Sequence, residues 1–198
     1  AHKHGIRIVM DIVMNHAGYS SIGDMNEFGY GTLKAGWDTF YNAGSESLYS
    51  TYHSFIDYES SEADWANWWG NDWVRTGVAG YSKNGDGSEL TQSLSDLPDF
   101  RTESTVTVGI PELLKNKWIK EGTYNDKLAK YGSSGTVRSY LCKWLSEWVE
   151  TYGVDGFRCD TAKHVEQASW KALKDSCVTA LNNWRKNNPD APGADWTD

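Results

Sequence analysis

Between residues 137 and 149 the apolar side chains Val137, Tyr140, Leu141, Trp144, Leu145, Trp148 and Val149 recur at alternating intervals of three and one. A helix of 3.6 residues per turn gathers such a set on one face, so the stretch predicts an amphipathic helix with one side to bury. Two short apolar runs flank it. Ile6 to Val13, after Gly5, reads as a buried parallel strand, because it is nearly continuous in hydrophobic residues. Val154 to Asp160 reads as a second strand, entered after Gly153 ends the helix. Ala168, Leu173, Cys177, Leu181 and Trp184 then mark one face of a further helix, expected to stop at Asn187 or Asn188 ahead of Pro189. Ala1 to His4 reads as the tail of a helix capped by Gly5. Strand, helix, strand, helix in this order implies a right-handed crossover in a parallel sheet, an α/β fold.

Between the first strand and the long helix the periodicity disappears. Residues 17–108 are rich in Gly, Ser, Asn, Asp and aromatics. Glu62 to Trp69 reads as a short helix with Ser60 or Ser61 as its N-cap, and Ser82 to Ser88 as glycine-rich turns. A stretch this long without strong periodicity is unusual inside a compact domain and is often functional, so it is expected to be an irregular subdomain inserted after the first strand. Residues 111–118 read as a short helix with Pro111 near its first position. The expected organisation is 1–16, the first strand and its polar end; 17–108, the insertion; and 109–198, helix, strand and helix.

With 19 Lys and Arg against 27 Asp and Glu, the net charge is −8. An acidic surface argues against nucleic acid and anionic membrane as partners and leaves a neutral polymer such as a polysaccharide open. No run reaches the ~18 apolar residues of a membrane span. The first residues have no apolar core of the kind a signal peptide carries. The three cysteines, Cys142, Cys159 and Cys177, have no CxxC spacing and are expected to be buried free thiols. The 11 Trp and 11 Tyr suit a chain that stacks on sugar rings, although most such rings fill cores.

Both strands end in polar clusters, Asp11-Ile12-Val13-Met14-Asn15-His16 and Arg158-Cys159-Asp160-Thr161-Ala162-Lys163-His164. In parallel α/β folds functional groups gather at the C-terminal ends of strands. Alternation puts Arg158 and Asp160 on one strand face and Phe157 and Cys159 on the other. A carboxylate beside a guanidinium stays ionised and oriented, as a nucleophile requires, and the same pair also fits a buried structural ion pair. Asp11, inside an apolar run, is expected to be buried and hydrogen-bonded. Taken alone, His16 reads as a satisfied polar residue, Lys163 and His164 as a solvated helix entry, and Leu97-Pro98-Asp99-Phe100 as a turn. With Asn15, Asp99 becomes a candidate oxygen ligand for calcium.

Three segments in order, Asp11 to His16, Leu97-Pro98-Asp99 and Gly156 to His164, resemble the motifs of glycoside hydrolase family 13, the α-amylase family, and most closely its bacterial periplasmic-type members. The resemblance spans the whole chain. It implies an internal fragment running from barrel strand 3 to the helix after strand 4: a partial (β/α)8 TIM barrel of about two βα units, with an inserted, irregular domain B. It implies that Asp160 is the nucleophile and that Arg158 holds it ionised and oriented. His16 would line the subsite on the non-reducing side of the cleaved bond, and Lys163 and His164 the other side. Asn15, Asp99 and the backbone carbonyl of His164 would bind a structural calcium, with Asp11 supporting the site.

The implied activity is retaining hydrolysis of internal α-1,4-glucosidic bonds in starch-like glucans. Other family activities (α-glucosidase, glucanotransferase, debranching) and a non-catalytic relative serving as a binding module remain open. The partner is an α-glucan, and the location periplasmic or secreted, because starch is too large to enter cells. The family's general acid is a Glu after strand 5 and its second Asp lies in an Asn-His-Asp run, which this chain does not contain. A whole barrel takes ~250 residues. The 198 residues alone are therefore expected not to hydrolyse starch, and their exposed strand edges to favour oligomers or domain swapping.

Overall fold

The computed structural model describes residues 1–18, 32, 34–35, 57, 60, 66–76, 81, 87–94 and 97–197. The chain divides into two compact units. The first holds Ala1–Asn15, Arg101–Thr107 and Gly135–Asp198, and the second His16–Phe100 and Val108–Ser134. Residues 62–65 of the expected short helix at 62–69 and 82–86 of the expected turns at 82–88 fall outside the described residues; 66–68 are helical and Gly87 adopts φ 82°.

The first unit is built as an α/β arrangement. Strands β1 (Val9–Val13) and β4 (Gly156–Asp160) pair in parallel, with Met10 opposite Phe157, Asp11 opposite Arg158 and Val13 opposite Asp160. Helix α3 (Val137–Tyr152) precedes β4 and helix α4 (Gln167–Asn187) follows it. A reciprocal box starts α3: Thr136 Oγ1 accepts from Ser139 N–H, and Ser139 Oγ from Thr136 N–H. Gly153, at φ 67°, ends it. The N-terminal residues His2–His4 make one 3-10 turn closed by Gly5 at φ 71°, as its glycine led one to expect.

Pairing register decides the faces. Met10 and Phe157 turn toward a core of Val149, Val154, Ala180, Leu181 and Trp184, drawn from both helices and the link from α3 to β4. Cys177 packs on the same core. The opposite face carries Val9, Asp11 and Val13 beside Arg158 and Asp160, and all five are exposed. The expectation of a strand buried on both faces thus fails for β1, where only Ile12 is fully buried. A near-continuous apolar run states what a strand could cover, and this two-stranded sheet is covered by helices on one side. Asp11 is corrected for the same reason: it is exposed, with its side chain 63% accessible. Trp148, assigned to the buried face of α3 by its spacing, is also exposed and stacks at 5.5 Å on Tyr152. All three cysteines are free, but only Cys142 is fully buried.

The second unit joins β2 (Val74–Arg75) to β3 (Asp99–Phe100) in an antiparallel pair. Trp69, Trp73 and Phe100 pack edge to face and tilted at centroid distances of 5.1–6.5 Å, and Trp73 Nε1–H donates to Gly109 O. Helices α1 (Glu112–Lys120) and α2 (Tyr124–Tyr131) complete its described part, α1 starting directly after Pro111. The segment Leu97 to Phe100, a turn by its sequence, ends in strand β3. Among the described residues no helix is long and apolar enough to cross a membrane.

Candidate active site

The exposed face of the parallel pair presents one guanidinium between two carboxylates. Arg158 Nη1–H reaches Asp11 Oδ2 at 3.0 Å and Asp160 Oδ2 at 3.1 Å. Strand geometry makes this arrangement almost automatic. Asp11 and Arg158 are register partners, and Asp160 stands two residues beyond Arg158 on the same side of the pleat. The hydrogen bond to Asp11, and after it the bond to Asp160, raise the Arg158 pKa above its ordinary value, so the cation is fixed at every ordinary pH. The sequence expectation that Arg158 and Asp160 share a face holds. Their alternative as a buried ion pair does not, because both are more than half accessible.

Asp160 is oriented from its other oxygen as well. Thr161 N–H donates to Asp160 Oδ1 at 2.7 Å. Thr161 itself lies at φ 52°, ψ 28°, the left-handed region, and is the sole non-glycine with positive φ among the described residues. A short 3-10 turn, Ala162–His164, follows. It leaves Lys163 exposed and His164 buried, with His164 N–H donating to Thr161 O.

Asn15 is buried in the first unit, immediately after Met14, which is wholly inaccessible. His16 and Asp99 belong to the second unit, where an isolated antiparallel bridge pairs them, and Ala17 N–H donates to Pro98 O. Asp99 is buried and its Oδ2 accepts from Arg75 Nη1 at 2.8 Å. Arg75 had no signature in the sequence; its partner lies 24 residues away on the neighbouring strand. The residues expected to hold calcium are thus divided, with Asn15 and His164 in one unit and Asp99 in the other. Among the described residues no three His, Cys, Asp or Glu side chains gather into a metal cage.

A second group of polar residues, not foreseen from sequence, stands behind the turn. Thr102 Oγ1 donates to Glu166, at 2.9 Å from Oε2, and Ser169 Oγ donates to Glu166 Oε2 at 2.8 Å. Arg138 Nε–H in turn donates to Ser169 Oγ at 2.7 Å. Trp170 Nε1–H closes on Ala162 O at 3.0 Å. The separation of Thr102 from Glu166 by 64 residues explains why local patterning could not reveal them.

No family model matches the chain. The chain is 44% identical over 199 residues to the periplasmic α-amylase of Escherichia coli K12, an alignment that covers 96% of this chain and 28% of that protein. The chain therefore spans little more than a quarter of the length of the curated relative it matches. An identity this high over nearly the whole chain agrees with the three ordered motifs and with the strand ends that carry two of them, and it bears out the resemblance of this chain to an internal segment of a periplasmic α-amylase.

Proposed function

We propose that these residues form the nucleophile-bearing segment of an α-amylase-type retaining glycoside hydrolase that cuts internal α-1,4-glucosidic bonds of starch-like glucans. One observation carries it: Asp160 at the C-terminal end of a parallel strand, exposed, ion-paired to Arg158 and aimed by a backbone N–H. In a retaining mechanism such a carboxylate attacks the anomeric carbon and forms a covalent glycosyl ester, while a second carboxyl ~5 Å away protonates the departing oxygen. Arg158, ion-paired to Asp160, holds it pointed at the sugar. Asp11, on the far side of Arg158, keeps the guanidinium from swinging away. No residue in the three matching motifs has the second carboxyl's role. His16 is assigned to the subsite on the non-reducing side, and Lys163 and His164 to the opposite side.

On this reading β1 and β4 are strands 3 and 4 of a (β/α)8 barrel, and residues 17–108 its domain B insertion. Asn15, Asp99 and the carbonyl of His164 are the proposed calcium ligands. The donor set suits the ion, being one amide oxygen, one carboxylate and one carbonyl. Asn15 and Asp99 are each 1% exposed, as ligands of a closed structural site would be. Bound calcium would supply structural charge, and no step of the reaction passes through it. A periplasmic or secreted location fits a polymeric substrate and the compartment named for the relative.

The test replaces the matching segment of the Escherichia coli periplasmic α-amylase with these 198 residues and follows reducing ends released from soluble starch, with product anomers read by NMR. The graft is expected to release α-anomers. Asp160→Asn is expected to cut its turnover by a factor on the order of 10⁴ or more, as losing a covalent nucleophile does. A folded graft without activity, or an Asp160→Asn graft that keeps a tenth of it, overturns the assignment.

A further inference from the structure

Thr161 is an expensive residue for its position. Its φ of 52° is a true outlier for a β-branched side chain. Its Oγ1 is buried and has no hydrogen-bond partner among the described residues. A glycine would accept this backbone and bury no hydroxyl. Strained residues persist where their surroundings over-determine them, and such places are disproportionately functional. Here the surroundings can be named. Beyond Thr161, the indole N–H of Trp170 holds the carbonyl of Ala162, and the far end of the turn is tied through Glu166 to Thr102 and Ser169. Ser169 is wholly inaccessible and Thr102 nearly so, and with Glu166 only partly exposed this second tie is a part-buried one. Arg138 of α3 braces Ser169, so the turn is anchored to both helices of its unit and to the 101–107 segment.

We propose that the turn Thr161–Glu166 is a strained and doubly clamped positioning device for the Asp160 carboxylate, with Trp170 and Glu166 as its positioning residues. The clamps prevent Thr161 from relaxing toward ordinary φ. Held there, its N–H points at Asp160 Oδ1 and, with Arg158 on Oδ2, fixes both carboxylate oxygens. Trp170 and Glu166 act through the backbone of the turn. The proposal rests on Asp160 being the nucleophile.

Two measurements test it. The first is amide hydrogen exchange of Thr161 by NMR in the 198-residue chain, with amides in the middle of α3 and α4 as the internal standard for folding. Trp170→Phe keeps the ring and loses the donor, and Glu166→Gln keeps the shape and loses the charge. Each should speed Thr161 exchange roughly tenfold, the factor expected for weakening one hydrogen bond, and leave the helix amides unchanged. Thr161→Gly should also speed it while raising Tm by roughly 2–4 °C through released strain. The second measurement is kcat and KM in the grafted enzyme, where all three variants should lower kcat between ~10- and ~100-fold with little change in KM, as a displaced reacting group does. Unchanged Thr161 exchange in both Trp170→Phe and Glu166→Gln overturns the clamp, as does a Thr161→Gly graft with full kcat. If exchange responds as expected but Asp160→Asn leaves hydrolysis intact, the assignment of the nucleophile has failed and the clamp serves some other end.

Discussion

Gly153→Ala should destabilise the chain far more than its small size suggests. Gly153 ends α3 at φ 67° and ψ 36°, and its N–H closes on Val149 O at 2.8 Å. Placing an alanine in this left-handed region costs about 1–2 kcal/mol. The added methyl group meets a second obstacle: a Cβ on Gly153 would stand 2.5–2.7 Å from Cε2, Cζ2 and Cδ2 of Trp184. These are ring atoms of a buried indole packed with Val149, Val154, Ala180 and Leu181, so no flexible tip can swing aside. Forcing extra volume into such a core costs about 1–3 kcal/mol. The two together make about 2–5 kcal/mol, or roughly 5–20 °C in Tm for a chain of this size. Gly5→Ala is the control in the same unit. Gly5 has nearly the same backbone, φ 71° and ψ 21°, but nothing lies within 4 Å of its added Cβ. It should show the backbone part alone, roughly 2–8 °C. Thermal melts followed by helix ellipticity and by the near-ultraviolet indole signal measure both. If Gly153→Ala melts no lower than Gly5→Ala, the Trp184 contact does not have the rigidity argued for it. Combining Gly153→Ala with Trp184→Leu should then recover part of the steric loss, since the two sites share one contact.

Four further outcomes are expected. Arg158→Lys should leave Tm unchanged, because Arg158 is exposed, while lowering kcat of the grafted enzyme by ~10²-fold or more, because a flexible lysine stem does not seat one nitrogen between Asp11 and Asp160 as the rigid guanidinium seats Nη1; equal activity would contradict the role given to Arg158. Burial, helped by nearby Cys142 and Cys159, pushes the Cys177 thiol up to about 12 from 9.0 in the unfolded chain. The folded chain then keeps a proton that the unfolded chain releases, so this stabilisation is whole below about pH 9 and drains away as pH climbs toward about 12; Cys177→Ala should flatten the alkaline fall in Tm, and parallel curves for the two proteins would refute it. A calcium chelator should lower Tm and Asp99→Asn should abolish that response; a chelator without effect removes the calcium proposal. Light scattering should report particles larger than a monomer, since the two-stranded parallel sheet offers open edges to a neighbour; a clean monomer would contradict it.

The parts of the fold that could be read from sequence are those whose signal is local. The three-and-one spacing of α3 and the glycines at its end and at Gly5 are written in adjacent residues, and they hold. Helix α2 escaped notice because it is eight residues long and buries only Tyr131, so its apolar spacing says little. Strands β2 and β3, two residues each, exist only through their pairing. Trp148 shows the opposite limit. Periodicity assigns it to a helix face, but whether that face is covered depends on partners that the helix does not encode.

The same division runs through the site. That Arg158 and Asp160 share a face follows from the pleat and needed no structure. That Asp11 joins them follows from a register between residues 147 apart, which no window of sequence contains. The error over its burial is informative about chemistry. In solvent, water screens the attraction between Arg158 and its two carboxylates, and the ion pair holds geometry more than it supplies energy. If this face were covered by further strands, as the barrel proposal requires, the same distances would act in a lower dielectric. The pull of Arg158 on Asp160 would then strengthen without any atom moving. The geometry of the nucleophile is therefore local to β1, β4 and the turn after it, whereas its electrostatic strength depends on whatever closes over them. This argues that Arg158→Lys should be far more damaging in the grafted enzyme than any property of the 198-residue chain alone would suggest.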